Sequence, residues 1–294
     1  MNIDLSELTD GFSSKLKVIS YFMAIIILKK KKKELFIFEK KSKEAPYLFT
    51  DLCLIKKFKV YKLKKKPKSV AVFNPYNYLA NLKVLKKHYN IKDNERFNYL
   101  SELSYQNYSP KQKIKNKIKK INLPKKFIGI HFRSTDREIN IRNFIKKIQF
   151  KEMIFDFHIN HMIKNIVNFV FLKKLSNNAF ICSDNNFYKK KAINFLKSKL
   201  LINSINSKFN KNKFRQTNGI DFITELFCLS KSQAIISTVG GAVTNSAYLI
   251  SKKKIKIYKW IDVKNFFYFL KIIILCIYLL KKFKNFLTIK LFNI

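Results

Sequence analysis

In the second half of the chain, short apolar runs alternate with longer amphipathic stretches. The short runs, bounded by polar or turn residues, predict buried strands, and the longer stretches with helical spacing predict helices. Strands that alternate with helices indicate a parallel sheet covered by helices on both faces. The predicted strands are 127–132, 178–182, 234–237 and 255–258, with a further short strand beginning at Ile205. The predicted helices are 150–172, 186–200, 219–230 and 242–251.

The first half shows a similar but weaker pattern. A helix is predicted over residues 17–28, with Ser13 or Ser14 as its cap, and a strand follows at 35–38. This strand–loop–helix–strand order is consistent with a Rossmann-like half. The remaining candidates are a strand at 70–73, a helix at 76–88 and a helix start at Pro110.

These patterns predict two Rossmann-like domains, residues 1–120 and 121–262, with Pro124 marking the boundary. Residues 263–294 form an apolar and basic tail. Its apolar stretch, 266–280, is shorter than the roughly 20 residues that a membrane-spanning helix needs. Either an interfacial helix with lysines reaching into the headgroups or a helix packed back across the domains fits this tail.

The net charge of +43 points to an anionic partner, either a nucleic acid or a membrane surface. Arginine supplies only five of the 61 basic residues, whereas proteins that read nucleic acids use arginine heavily. Each lysine near an anionic membrane contributes about 1 kcal/mol of attraction. The composition therefore favours an anionic membrane surface and disfavours nucleic acid.

The cysteines and the N-terminus indicate a cytoplasmic protein. Cys53, Cys182, Cys228 and Cys276 are far apart, which predicts neither a zinc site nor a disulfide framework. The first ten residues are acidic and lack the basic start of a signal peptide. With the charge, this predicts a cytoplasmic location, peripheral at the inner face of the membrane.

Polar side chains follow three of the predicted strands, where ligands of open α/β sheets bind. Arg133 is suited to grip a diphosphate with both guanidinium branches, and Asp136 to orient that arginine or bind a sugar hydroxyl. Asp184 follows the next strand and suits a ribose, a sugar or an incoming nucleophile. Each strand end also has a purely structural interpretation. Arg133 and Asp136 could form a pair that stabilises a turn, and Asp184 could lie in a helix cap.

The third strand end is a run of small residues, Thr238 to Ala242, which includes Gly240 and Gly241. Small residues let backbone N–H groups approach an anion at a helix N-terminus, although a plain tight turn would look the same. Asp221 and Glu225 lie one turn apart on the preceding helix. Their carboxylates are suited to accept hydrogen bonds from the edge of a guanine base. The structural alternative is that both residues lie on a solvated helix face.

No D-x-D sequence occurs, so a nucleotide-sugar enzyme built on this chain would lack that metal-binding pair. The strand ends match neither the dinucleotide-binding glycine motif nor the P-loop. Lysine and arginine would then neutralise the phosphates. We therefore expect no metal and no cofactor other than the nucleotide-sugar donor.

The segment Phe127 to Arg137, FIGIHFRSTDR, resembles the H-x-R-x-T-D-K motif of the α1,6-fucosyltransferase and nodulation fucosyltransferase group, relatives of the protein O-fucosyltransferases. Further segments are similar to that group in the same order: FICSDN at 180–185, LSKSQAIIST at 229–238 with its continuation to Tyr248, and DGFSSKL at 10–16. The resemblance covers about residues 10–38 and 127–250.

The resemblance implies a GT-B-like pair of Rossmann-like domains, with residues 1–120 on the acceptor side and 121–262 holding the donor. It implies GDP-fucose as donor, inversion at the sugar carbon and no metal. Arg133 would bind the β-phosphate, the backbone near His131 would meet the guanine, and Asp184 would face the sugar. The remaining implied donor contacts are Asp221 or Glu225 at the guanine edge and the backbone of Thr238 and Gly240 to Ala242. The loop with Gly11, Ser13 and Ser14 corresponds to the group's N-terminal loop.

The chain departs from the group at three motif positions. Ser134 stands where the mammalian-type motif has a second arginine, Arg137 replaces lysine, and Asn185 replaces the second aspartate. The group's downstream glutamate has no clear match. The prediction is thus a fucosyltransferase-like glycosyltransferase acting on a glycan or lipid-linked saccharide. The alternatives are a non-catalytic nucleotide- or glycan-binding relative and a basic membrane-surface or nucleic-acid-binding protein.

Overall fold

The structure, a computed structural model, describes residues 1–6, 8, 12–41, 47–67, 78–133, 151–205, 218–238 and 241–260. The strands in these ranges are β1 (Asn2–Asp4), β2 (Glu34–Phe38), β3 (Cys53–Ile55), β4 (Lys59–Lys62), β5 (Tyr108–Pro110), β6 (Ile128–Phe132), β7 (Asn178–Ser183), β8 (Leu201–Ser204), β9 (Ala234–Ser237) and β10 (Lys256–Lys259). The helices are α1 (Phe12–Leu28), α2 (Phe49–Leu52), α3 (Tyr78–His88), α4 (Asn94–Ser104), α5 (Gln112–Lys120), α6 (Lys151–Leu172), α7 (Asn186–Leu196), α8 (Gly219–Leu229) and α9 (Ala242–Ile250).

Five strands of the second half form one parallel sheet in the order β10-β9-β6-β7-β8. From central β6 the chain moves outward through β7 to β8, and then crosses back to place β9 on the other side of β6. The strand order therefore reverses between β6 and β9. In open α/β sheets, such a switch point leaves a crevice beyond the carboxyl ends of the strands.

Alternating residues of β6 face two separate cores. Ile128, Ile130 and Phe132 join the cluster that contains α6 and α7 residues, so these helices cover one face. The other face is covered by α8 and α9. Gly129 allows this close approach, because a Cβ at that position would lie 2.5 Å from Cδ2 of Leu229 on α8.

The first half contains a smaller parallel sheet, ordered β1-β2-β4, and the antiparallel pair β3-β5. Helix α1 connects β1 to β2 and is buried on nearly all sides, since its central turns are apolar all round. One apolar cluster includes residues from both halves, for example Ile114 and Ile118 of α5 with Ile223 and Leu226 of α8. The halves thus share a core across residue 120.

The predicted α/β class with a parallel sheet and helices on both faces is confirmed. Three local predictions are wrong. Helix α1 begins at Phe12, so Ser13 and Ser14 lie in its first turn and do not cap it. Pro110 ends β5 instead of starting a helix, and Ile205 follows β8 instead of opening a strand.

Some predictions fall where the structure gives no test. The strand at 70–73 and the tail at 263–294 lie outside the described residues. The domain boundaries at 120 and 262 remain predictions. Of the helices that the structure describes, none combines the length and the apolar character needed to cross a bilayer.

Candidate functional site

The carboxyl ends of β6, β7 and β9, which we call the site edge, bring several predicted site residues together. Arg133 follows β6 directly, and Gly241 opens α9 after β9. The Arg133 side chain packs on Gly241: a Cβ added to that glycine would lie 2.7 Å from Nη1 and 3.6 Å from Cδ of Arg133. The guanidinium therefore lies at the start of α9, at the switch point between β6 and β9.

Thr238 fixes the backbone from which Arg133 projects. Its buried hydroxyl accepts from the Arg133 backbone N–H at 3.0 Å and lies 3.4 Å from the Arg133 carbonyl. The backbone N–H of Thr238 donates to the carbonyl of His131 at 3.1 Å. The loop after β9 is thereby bonded to the end of β6, and the arginine starts from a defined position.

Among the described residues, no side chain caps the N-terminus of α9. Gly241 is its N-cap residue, with extended backbone at φ −144°, and it has no side chain that could accept from the first-turn N–H groups. Uncapped N–H groups at a helix N-terminus carry partial positive charge and attract anions. Together with the Arg133 guanidinium, which packs against Gly241, these N–H groups form a site suited to a phosphate.

His131 lies buried at the end of β6, beneath this place. Its Nδ1 is 3.2 Å from the hydroxyl of Thr244 on α9. Burial lowers the pKa of His131 to about 4; the Arg133 charge acts in the same direction, and Asp184 opposes it. The imidazole is therefore neutral near pH 7 and holds α9 against β6 through a neutral hydrogen bond.

Asp184 and Asn185 follow β7 and have different roles. Asn185 is the N-cap of α7, and its side-chain oxygen accepts from the N–H of Phe187 at 2.9 Å. The helix-capping alternative raised for this segment thus applies to Asn185. Asp184 is half-buried and close enough to His131 to act on its pKa, which places this carboxylate at the site edge.

Glu225 is buried on α8, so a solvated helix face is excluded for it. Lys189 of α7, itself 3% exposed, donates to Oε1 of Glu225 at 2.8 Å and to the carbonyl of Ile205 at 2.9 Å. Burial raises the pKa of Glu225 to about 7, although Lys189 lowers it. The predicted guanine acceptor is therefore one half of a buried ion pair.

Asp221 is also buried, in the first turn of α8. Its carboxylate forms an ion pair with Lys117 of α5 and accepts from the side-chain amide of Asn218 at 2.6 Å. This ion pair joins the first half of the chain to the second. The structure thus gives Asp221 a structural partner, and its contact with a nucleotide remains a prediction.

The N-terminal loop contributes a second buried ion pair. Lys15 donates to Glu39 at 3.4 Å, where Glu39 directly follows β2. Glu39 also accepts from the backbone N–H groups of Phe49 and Thr50, at 2.7 and 2.9 Å, and so caps α2. The ends of α1, α2 and β2 are thereby joined at the corresponding edge of the smaller sheet.

Ser13 and Ser14 lie in the first turn of α1, next to this ion pair. Ser13 is buried, and its hydroxyl has no hydrogen-bond partner among the described residues. Ser14 is half-buried. The neighbouring Phe12 ring lies 6.3 Å from that of Phe222 on α8, which brings the N-terminal loop against the second half.

Three predicted site residues, Gly11, Asp136 and Gly240, lie outside the described residues. Ala242 is described and exposed at the start of α9. Sequence reasoning missed Lys189, Lys117 and the Lys15–Glu39 pair. Lysine is too frequent in this chain for one residue to stand out, yet Lys189 had a signal. It has helical spacing with the buried Ala192 and Leu196, on the apolar stripe of α7.

The site edge therefore combines one guanidinium, an uncapped helix N-terminus and a nearby carboxylate. This arrangement can hold a phosphate or diphosphate and stabilise negative charge that develops on it. In the described ranges, no group of three or more His, Cys, Asp or Glu side chains is arranged to hold a metal ion. The expectation of a metal-free reaction remains a prediction.

No family model matches the chain, and no curated protein matches its sequence. Solved structures do match its fold. POFUT1 in complex with GDP is 10% identical, with 88% of this chain and 97% of that chain covered and a TM-score of 0.53. The NodZ α-1,6-fucosyltransferase soaked with GDP-fucose is 13% identical, with 82% and 89% covered and a TM-score of 0.51.

The fucosyltransferase NodZ from Bradyrhizobium is likewise 13% identical, with 82% and 90% covered and a TM-score of 0.50. Against POFUT1 with GDP-fucose, the chain spans 49% of that structure, at a TM-score of 0.37. At these identities the comparison establishes the fold. The chain has the α/β, GT-B-like architecture of fucosyltransferases.

Proposed function

We propose that the protein is a glycosyltransferase that transfers fucose from GDP-fucose to a glycan or a lipid-linked saccharide. The reaction inverts the sugar carbon and uses no metal. The observation that carries the proposal is the Arg133 guanidinium packed on Gly241 at the uncapped start of α9, at the switch point of the sheet. The fold, which is that of structures solved with GDP and GDP-fucose, supports the same reading.

In the proposed reaction, an acceptor hydroxyl attacks the anomeric carbon and releases its proton to solvent, and the bond from that carbon to the diphosphate oxygen breaks. The electron pair leaves with the diphosphate. Arg133 and the first-turn N–H groups of α9 stabilise the charge that develops there. Asp184 faces the sugar, and Asp136 orients Arg133 or binds a sugar hydroxyl. Asp221 or Glu225, each paired with a lysine in the structure, contacts the guanine edge.

Calorimetric titration of the purified protein with GDP, in EDTA and moderate salt, tests the donor site. UDP and ADP are the comparison ligands. We expect selective binding of GDP, lost in Arg133→Ala because the arginine is the charge that meets the diphosphate. Arg96→Ala is the matched control, since Arg96 is exposed on α4 and should bind GDP as the wild type does.

Retained GDP binding in Arg133→Ala would refute the site. If GDP, UDP and ADP bind equally weakly, and more weakly as salt rises, unspecific attraction by the many lysines would explain the binding. If the site binds GDP, turnover of GDP-fucose with candidate acceptors then tests the activity. The proposed setting is the cytoplasmic face of a membrane.

A second candidate is a non-catalytic relative that binds the nucleotide. The observation in its favour is Asn185, which stands where the fucosyltransferase group has its second aspartate and is used here as a helix cap. Selective GDP binding without consumption of GDP-fucose, with or without acceptor, would favour this candidate over the enzyme.

A further inference from the structure

The edge of the five-stranded sheet opposite the site is basic. Every strand of the sheet is preceded there by a short segment that contains lysine and no Asp or Glu. Ten of the 25 residues in these segments are lysine, about twice the share in the whole chain, 56 of 294. The segments, which together form what we call the basic edge, are 121–127, 173–177, 197–200, 230–233 and 251–255.

These lysines are exposed and share one edge because the strands are parallel. The first residues of β7 and β8, Asn178 and Leu201, are register partners. The segments before β6 and β7 are in contact, since the hydroxyl of Ser176 donates to the carbonyl of Lys126 at 2.9 Å. In the described part of the chain, Lys253 pairs with Glu102, whereas Lys125, Lys173, Lys197 and their neighbours extend into solvent.

Apolar side chains are exposed among these lysines. Of the described residues, the three most exposed large hydrophobic side chains are Phe171 (83%), Leu172 (75%) and Leu201 (69%). Phe171 and Leu172 end α6, directly before Lys173 and Lys174, and Leu201 opens β8, directly after the 197–200 segment. Phe195, near the end of α7, lies beneath Lys199 and is 40% exposed. We call Phe171, Leu172, Phe195 and Leu201 the apolar patch.

From this arrangement we propose that the basic edge and its apolar patch form a docking surface for an anionic lipid bilayer. Exposed Phe and Leu side chains insert at the boundary between headgroups and acyl chains, and the surrounding lysines meet anionic headgroups. Nucleic acid fits less well, because the surface has lysine without arginine, which leaves little for bidentate phosphate contacts, and only two of the four patch side chains are aromatic and could stack on bases.

The surface also orients the molecule. The strands between the basic edge and the site edge are about five residues long, so the two edges are roughly 16 Å apart. A protein docked through the basic edge holds the site edge above the bilayer and facing away from it. This surface is independent of the nucleotide site, and either proposal can fail without the other.

The test is flotation of the full-length protein with vesicles of phosphatidylcholine alone or with roughly 30% phosphatidylserine. The variant Phe171→Ser, Lys173→Gln, Lys174→Gln removes one exposed ring and two charges from the basic edge. The matched control Phe187→Ser, Lys190→Gln, Lys191→Gln makes the same changes on exposed residues near the start of α7, at the other end of the sheet. Circular dichroism and GDP titration check the fold of both variants.

We expect the wild type to float with anionic vesicles only, and to do so less as salt rises. The basic-edge variant should lose at least tenfold in partitioning while the control stays within about twofold. Equal losses in both variants would mean unspecific charge, and unchanged flotation of the basic-edge variant would place membrane binding elsewhere. Either result overturns the proposal. A third result would also overturn it: the wild type does not bind the vesicles, but it binds single-stranded RNA, and the basic-edge variant loses this RNA binding.

Discussion

The two edges of the five-stranded sheet use charge in opposite ways. No lysine occurs in the four residues that follow β6, β7 or β9, and the positive charge at the site edge belongs to Arg133. On α7, which begins at this edge, Lys189 is buried in an ion pair with Glu225, whereas Lys190 and Lys191 are exposed. At the basic edge every segment contains lysine, and nearly all of these side chains are exposed.

This contrast explains how a chain with such a surplus of lysine can keep a specific anion site. A bound anion at the site edge meets a planar fork and aligned N–H groups of fixed geometry, which favour a phosphate of defined position. Flexible exposed lysines attract any anionic surface and are screened by salt. A planar guanidinium beside aligned N–H groups specifies a ligand, whereas separate exposed lysines provide general attraction.

The largest effect expected from this comparison is on stability, in Lys189→Met. The substitution leaves the buried Glu225 without its cation, which costs about 3 kcal/mol or more when one partner of a buried pair is removed. Glu225 already has a pKa raised to about 7 by burial, and loss of Lys189 raises it further. A group whose pKa is raised in the folded state stabilises most at low pH, and this stability is lost as pH rises.

Urea unfolding at about pH 5 and about pH 8 measures this effect. The free energy of unfolding of Lys189→Met should fall further below the wild type at the higher pH, because Glu225 ionises freely in the unfolded state and has no cation beside it in the folded state. Lys190→Met, the exposed neighbour, is the control and should change little at either pH. An equal loss at both pH values would mean that the bond from Lys189 to the Ile205 carbonyl, and not the Glu225 charge, is what matters.

The second-largest effect is expected on affinity, in Gly241→Ala. The added Cβ would lie 2.7 Å from Nη1 of Arg133, so the guanidinium must move. Since an extended φ of −144° suits alanine and the arginine is flexible, we expect the unfolding free energy to change by less than about 1 kcal/mol. Affinity for GDP should fall about tenfold, equivalent to about 1.4 kcal/mol.

A double-mutant cycle shows whether Gly241 acts through Arg133. Arg133→Lys keeps the charge but loses the fork, and it should leave weak, measurable GDP binding. If the glycine matters because it makes room for the guanidinium, Gly241→Ala will cost less in the Arg133→Lys background than in the wild type. If the losses of GDP binding free energy, measured by calorimetric titration, are fully additive, then Gly241 does not act through Arg133. That result would weaken the proposed phosphate site.

The pattern of the sequence predicted the second half better than the first for a physical reason. Strands β6, β7 and β9 are buried on both faces, so they appear as apolar runs that lysine-rich surroundings set off clearly. Strand β4 is exposed along its whole length, and β3 and β5 have three residues each. Such strands have no recognisable apolar pattern in the sequence. They form because a neighbouring strand pairs with each of them.

The candidate site likewise has residues that could be predicted from the sequence and contacts that could not. Arg133, Asp184 and Thr238 could be predicted because the ends of buried parallel strands meet at one edge. The partners of Asp221 and Glu225 could not, since Lys117 and Lys189 come from helices whose relative placement depends on packing. Helix propensity and spacing place a lysine on a stripe, but they do not say which carboxylate lies across from it.

The smallest effect is expected at the basic edge, where Lys199→Gln tests whether exposed lysines contribute to the fold. Nζ of Lys199 lies 5.6 Å from the centre of the Phe195 ring, a cation–π contact that is worth about 0.5 kcal/mol when exposed. The unfolding free energy should therefore fall by no more than that at either pH, and Lys197→Gln should cost even less. A loss above about 1 kcal/mol for Lys199→Gln would mean that these lysines stabilise the native state. The contrast between the charge of Arg133 at the site edge and exposed, available lysine at the basic edge would then no longer hold.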